Sequence, residues 1–177
     1  MNRYIALFRG INVGGHNSLP MKELIAIMTS KGYANIQTYI QSGNIVFDSE
    51  QAERQAISED ISQGIFDAKG FKPKVLLLDA QQWQQAIVYN PFTVTEGKQL
   101  HFFFLETPPQ QPDLAKLDSV KTDTEQYLLT DKVFYLYAPD GIGRSKLADL
   151  VGKALGVVVT ARNWNTVNKL STMLDAA

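Results

Sequence analysis

The chain contains no cysteine, which excludes a disulfide framework, thiolate catalysis and any metal site built on thiolates. Histidine is nearly as scarce. His16 and His101 are the two present, and neither has a second histidine at ligand spacing, so no metal site is expected. Net charge is −1, so no overall field recruits nucleic acid or an anionic membrane, and a basic site has to be a local cluster. No apolar run approaches the ~18 residues of a membrane helix. The apolar segment Tyr4 to Phe8 is too short for the core of a signal peptide. Gly-x-Ser-x-Gly and Gly-x-Gly-x-x-Gly are both missing, and with them the nucleophile elbow and the dinucleotide fingerprint. A cytoplasmic protein with no cofactor is the expectation these absences leave.

What is there is ordinary in bulk. Of 177 residues, 45% are hydrophobic and 20% charged, as in a typical globular protein. That length buries a sizeable core without covalent staples. Tyr4 to Phe8 reads as a strand. Pro20 suits the start of a helix, and Met21, Leu24, Ile25 and Met28 follow at helical spacing. Gly32 closes that helix. Ile36 to Gln41 and Asn44 to Asp48 read as a hairpin turning at Ser42-Gly43. Glu50 to Lys69 reads as a polar helix, with Gly64 weakening it and Gly70 ending it. Val75 to Leu78 is a short strand, and Ala80 to Tyr89 a helix carrying Trp83.

The second half repeats this order. Leu100 to Glu106 is a strand, and a proline-rich loop leads to a short helix around Leu114 and Leu117. Gln126 to Leu129 and Lys132 to Tyr137 form a second hairpin. Leu147, Leu150, Val151, Ala154 and Leu155 mark an amphipathic helix. Val157 to Thr160 is strand-like, and a last helix starts near Trp164. Both halves therefore read βαββαβα. The fold class expected is α+β, with two similar ferredoxin-like (βαββαβ-type) lobes packed together as an apparent duplication. The lobes are residues 1–92 and 93–177, joined near Thr93 to Lys98. Phe102 to Leu105 and Val133 to Tyr137 are apolar on both faces, and such strands need cover on both sides. A cleft between lobes is a preferred ligand position.

Arg9-Gly10-Ile11-Asn12-Val13-Gly14-Gly15 is the stretch least like structural filler. Gly10 and Gly15 fit the frame of a phosphate loop. His16 and Asn17 then stand where Lys and Ser/Thr are required, so a Walker-type nucleotidase is rejected. What survives is a glycine turn whose amides can face an anion; the plain alternative is a loop whose glycines only permit positive φ. Arg9, Arg144 and Arg162 each stand beside glycine or asparagine at an element junction. Together with Asn12, the Gly14 and Gly15 backbone, Lys146 and Asn163, they are the candidate ligand-binding residues, because a guanidinium fork binds carboxylate or phosphate. The plain alternatives are local ion pairs for each arginine and helix capping for Asn163 and Asn165. Trp83 and Trp164 read as core anchors. No carboxylates form a recognisable acid/base pair, and no catalytic residue is assigned. An RNA-recognition reading is weakly supported, since Ser42 to Phe47 offers one aromatic and no cation.

Three stretches carry a resemblance: Arg9 to Gly15, Thr38-Tyr39-Ile40-Gln41-Ser42-Gly43-Asn44-Ile45-Val46-Phe47, and Ala161-Arg162-Asn163-Trp164-Asn165-Thr166-Val167. In that order they resemble a mainly bacterial family catalogued as domain of unknown function 1697. The resemblance implies an α+β fold of two similar lobes and implies no settled activity. Ala161 departs from the family pattern, where Thr is more usual, and removes a hydroxyl. The functional expectation is binding of a small anion, or of a phosphate-bearing nucleotide or nucleic acid, between the lobes. The alternatives are an enzyme acting on a phosphorylated or carboxylated metabolite, with the arginines as a clamp, and an interaction module with no ligand.

Overall fold

The computed structural model of the chain describes residues 1–176. It is an α+β protein with two four-stranded antiparallel sheets and six α-helices among the described residues. The first sheet is built from β1 (Asn2–Arg9), β2 (Ala34–Thr38), β3 (Asn44–Ser49) and β4 (Lys74–Asp79), with helices α1 (Met21–Ser30), α2 (Arg54–Lys69) and α3 (Ala80–Val88). The second is built from β5 (Leu100–Leu105), β6 (Gln126–Leu129), β7 (Val133–Tyr137) and β8 (Val159–Asn163), with α4 (Leu114–Val120), α5 (Lys146–Leu155) and α6 (Trp164–Asp175). The strand orders are β2-β3-β1-β4 and β6-β7-β5-β8. Replacing each strand of the first sheet by the one four places later gives the second order. By contact density the chain forms two compact units. One is Met1–Gln85 with the chain from Lys169 on, and the other is Ala86–Asn168.

In the first unit, alternation along β1 sends Tyr4, Ala6 and Phe8 to one face. They meet Ile45, Phe47 and Leu77 from neighbouring strands and Leu24, Met28, Ile57, Ile61 and Ile65 from α1 and α2. Ile5, Leu7 and Val46, on the other face, are also fully buried. Helix α2 starts four residues later than Glu50, because the Glu53 carboxylate caps it by accepting from the Gln55 and Ala56 amides at 3.1 and 2.7 Å. Gly64 costs helix propensity but also has a packing use. A Cβ there would lie 2.3 Å from Lys31 Cε and 3.0 Å from Ile27 Cγ2, so its missing side chain is what lets α1 and α2 approach. Trp83 is buried, and its indole Nε1 donates to Ser171 Oγ at 2.9 Å, tying α3 to the end of α6 within this unit.

The second unit packs Phe103, Leu105, Phe134 and Leu136 against Leu117, Leu147, Val151 and Leu155. Phe102, Phe104, Val133 and Tyr135 occupy the opposite face and are equally buried, so these strands are shielded on both sides, as their composition requires. The Phe102 ring meets Tyr135 edge-on with centroids 4.8 Å apart, and Trp164 lies 5.7 Å away. The Tyr135 hydroxyl donates to the Ala86 carbonyl at 2.5 Å, so this large ring is buried without an orphaned polar atom. Among the described residues no helix is long and apolar enough to cross a membrane.

Candidate functional site

Two loops at one end of the first sheet are built as one piece. The first runs from Arg9 to the start of α1. The second, Tyr39 to Gly43, joins β2 to β3. Asn12 joins them: its side-chain Nδ2 donates to the Leu19 carbonyl at 2.9 Å and to the Gln41 carbonyl at 2.8 Å, while its Oδ1 accepts from the Leu19 amide at 2.6 Å. Both amide protons of Asn12 are therefore engaged inside the protein, and Asn12 is a strut rather than a free donor for a ligand. Asn17 does similar work, donating to the Gly10 carbonyl at 3.0 Å. Behind them the Phe8 amide donates to the Gly43 carbonyl at 2.9 Å. A Cβ on Gly43 would stand 2.6 Å from Phe8 Cβ and 2.8 Å from Ile11 Cδ1, so only glycine closes this turn. Asn44, fully buried, holds the second loop by donating to the Tyr39 carbonyl and to Ser42 Oγ, both at 2.9 Å.

What this scaffold displays is Arg9, Gly14 and Gly15, all exposed. Gly14 and Gly15 take φ of 59° and 76°. Their amides make no hydrogen bond among the described residues. Register adds a residue that pattern reading missed. Arg9 on β1 stands directly opposite Lys74 on β4, which puts two cations on the same face of the sheet with Cβ atoms about 5 Å apart. Among the described residues neither forms an ion pair. Like charges in that position repel. The signal was available only through pairing: nothing near Lys74 in the chain marks it until β4 is laid beside β1.

The second unit holds the other candidates. Arg144 ends a short 3-10 turn, Ile142–Arg144, and Lys146 opens α5; both are exposed. Ser145 between them is buried. Its Oγ accepts from the Ala148 amide at 3.0 Å as the helix cap and donates to the buried Glu125 carboxylate at 2.5 Å. Arg162 and Asn163 stand at a helix start, as their neighbours imply, and are strand at the same time. They are the last two residues of β8, which runs straight into α6. Pairing with Phe102 and His101 on β5 outweighs the local preference of Asn for a turn. Asn163 Oδ1 accepts from the Thr166 amide at 3.0 Å, so it caps α6. Arg162 Nη1 donates to the Ala161 carbonyl at 2.8 Å, and burial lowers its guanidinium to about 10; it remains a cation at neutral pH.

Strands β7 and β8 both end beside the start of β5, through Tyr137 opposite Leu100 and Asn163 opposite His101. Arg162 and Asn163 thus lie at one end of the second sheet on its β8 edge, while the Arg144 turn, which follows β7 at that end, is tied through Ser145 to Glu125 beside the opposite edge strand, β6. The counterpart of the Arg9 loop in this unit would follow β5, and that segment, Glu106 to Pro112, carries no arginine. The Arg144 turn, which follows the third strand of its unit, is therefore not the equivalent of the Arg9 loop. His101 on β5 stands opposite Asn163. Its Nδ1 is buried without a hydrogen-bond partner, and burial depresses its pKa from 6.5 to about 4. Among the described residues no group of His, Asp and Glu could hold a metal ion.

The family model described as "Protein of unknown function (DUF1697)" matches residues 1–135. Among solved structures the chain is similar to a conserved bacterial protein, SP0830 from Streptococcus pneumoniae. The two are 25% identical over 98% of each chain, with a TM-score of 0.75. No curated protein matches the chain in sequence.

Proposed function

Because the chain belongs to the DUF1697 family, which is defined without an activity, we propose from the site itself that it binds a small anion through the Arg9 loop of the first unit. The pairing of Arg9 with Lys74 across β1 and β4 carries this reading. An anion seated between the two cations converts a mutual repulsion into two charge-assisted hydrogen bonds. The Gly14 and Gly15 amides add neutral donors, and the Asn12 and Asn17 struts fix the loop before a ligand arrives, which lowers the ordering cost of binding. Phosphate and carboxylate both fit this chemistry, and a nucleotide or a nucleic acid presents the same group. The same reading takes each unit as a ferredoxin-like lobe and the chain as a duplication. The matching strand orders support that, and the unequal placement of arginines says that the two copies have diverged in what they display.

The test is thermal stability in inorganic phosphate against chloride at matched ionic strength. A ligand at ten times its Kd stabilises by about 1.4 kcal/mol. Wild type is expected to gain stability in phosphate, and Arg9→Ala with Lys74→Ala to gain none. No gain by wild type in phosphate or in citrate overturns the reading. The same titration on Arg144→Ala, Lys146→Ala and Arg162→Ala reads whether the second unit's cations contribute. An enzyme acting on a phosphorylated or carboxylated metabolite is the second reading, drawing on His16, a titratable group that directly follows Gly15 on the same loop. It predicts that His16→Gln keeps anion binding and loses turnover.

A further inference from the structure

We infer that the ligand of the Arg9–Lys74 site is an amphiphilic anion, in which the anionic group carries an apolar body that lies on Ile40 and Val13. This rests on the anion-binding reading above and names the ligand class. Among the described residues four non-glycine residues have positive φ: Asn12 at 54°, Asn17 at 53°, Asn35 at 51° and Ile40 at 52°. Asparagine tolerates that region and a β-branched residue is strained in it. At three of the four positions the chain uses the residue that suits the backbone. At the fourth it uses isoleucine, and that isoleucine is 51% exposed, so burial does not offset the strain.

The loop around Ile40 is held hard. Tyr39 donates its amide to the Asn44 carbonyl at 2.9 Å, Asn44 donates back to the Tyr39 carbonyl, and Asn12 grips the Gln41 carbonyl at 2.8 Å. A strained, exposed, aliphatic side chain on an over-determined loop is a displayed side chain. Val13, 63% exposed, is displayed from the other loop of the same bonded pair, next to Gly14. Arg9 follows Phe8, whose amide is bonded to Gly43, so the cations and the aliphatic tips belong to one rigid end of the first sheet. A ligand with a charged head alone uses the first set. One with an apolar body uses both.

The experiment is calorimetric titration of the full chain with inorganic phosphate, ethyl phosphate and butyl phosphate, all monomeric, and with phosphatidylcholine vesicles containing phosphatidate. Each methylene buried strengthens binding by up to about fourfold. Butyl phosphate is expected to bind wild type at least about tenfold tighter than phosphate. Ile40→Asn is expected to fold, since asparagine holds the other three such positions, to keep phosphate affinity and to lose the gain from the alkyl chain. Val13→Ser is expected to lose part of it. Equal affinity for phosphate and butyl phosphate overturns this inference and leaves the anion reading standing. No binding of any phosphate overturns both. Binding to vesicles without binding to butyl phosphate also overturns the inference, in favour of a membrane-surface contact.

Discussion

Acid is expected to weaken the second unit through His101 before any carboxylate is involved. In the folded chain burial holds its pKa at about 4 against an ordinary value of 6.5, and Nδ1 has no partner that would favour the cation. The unfolded chain takes up a proton near pH 6.5 and the folded chain does not. Stability is therefore complete above pH 6.5, falls as pH drops through the window, and is fully lost to this residue below about pH 4. Each pH unit of separation is worth about 1.4 kcal/mol, which gives about 3 kcal/mol across the whole window and about 2 kcal/mol between pH 7 and pH 5. Asp48 and Asp60 act lower. Burial raises each carboxyl, but hydrogen bonds from Asn35 and Arg3 to Asp48, and from Lys31 and Tyr33 to Asp60, outweigh it and hold both below 3.8. Their stabilisation is lost only as pH falls below that of the free carboxyl. Urea unfolding at pH 7 and pH 5, followed by the fluorescence of Trp83 and Trp164, measures the loss. His101→Leu is expected to remove most of it and to be no less stable than wild type at pH 7. A proton NMR titration of the native chain gives an independent reading, with a His101 midpoint near 4. The same loss between pH 7 and 5 in His101→Leu, or a midpoint near 6.5, refutes the reasoning.

Other substitutions separate scaffold from display. Asn12→Ala removes two part-buried hydrogen bonds to Leu19 within the first loop and the one to the exposed Gln41 that joins the second loop, and is expected to cost about 2 kcal/mol, chiefly because the Leu19 amide and carbonyl lose their partners; equilibrium urea unfolding measures it. Gly43→Ala meets both a φ of 87° and a Cβ contact of 2.6 Å with Phe8, whereas Gly10→Ala meets a φ of 75° in open space. About 1 kcal/mol is expected for the second and clearly more for the first, read as a difference in thermal midpoint. Ile40→Asn is expected to raise stability by about 1 kcal/mol by relieving the left-handed backbone strain. Lys74→Gln is expected to raise it by a few tenths of a kcal/mol at low salt, an effect that shrinks as salt screens the Arg9 charge.

Periodicity made the elements legible, because a buried face repeats at two or at 3.6 residues and the chain obeys that repeat. The stripe from Leu147 to Leu155 gave α5, and the alternation in Tyr4 to Phe8 gave β1. The order of elements in each half followed from these, and so did the need of Phe102 to Leu105 for cover on both faces. Junctions were less legible, because competing local preferences meet there and pairing decides between them. Arg162 and Asn163 read as a helix start, and they are one, but the strand Val157 to Thr160 extends into them because they also pair with Phe102 and His101. Gly64 looks like a flaw in a helix until the Lys31 side chain is placed against it.

The same distinction divides the motifs. Polar residues in them that look available for a ligand are mostly engaged: Asn12 joins two loops, Asn44 closes a turn and Asn163 caps α6, just as Ser145 beside Arg144 caps α5. Their amides and hydroxyls satisfy backbone groups that would otherwise stand unpaired at loop ends, and an unpaired buried group costs as much as a lost hydrogen bond. The exposed residues of the Arg9 loop serve no such purpose. Arg9 and Lys74 repel, Ile40 strains the backbone, and Val13 faces water. Each of these is mildly unfavourable for folding; Arg9, Val13 and Ile40 belong to the loops that the engaged asparagines hold, and Lys74 joins them through the pairing of β4 with β1. Local rules broken together at one place, on a frame that obeys them around it, are what the proposed anion site rests on. On that reading the motif alone misdirects: its most recognisable residue, Asn12, is spent on holding the loops, while Lys74, which lies in none of the three motifs, is the residue paired with Arg9.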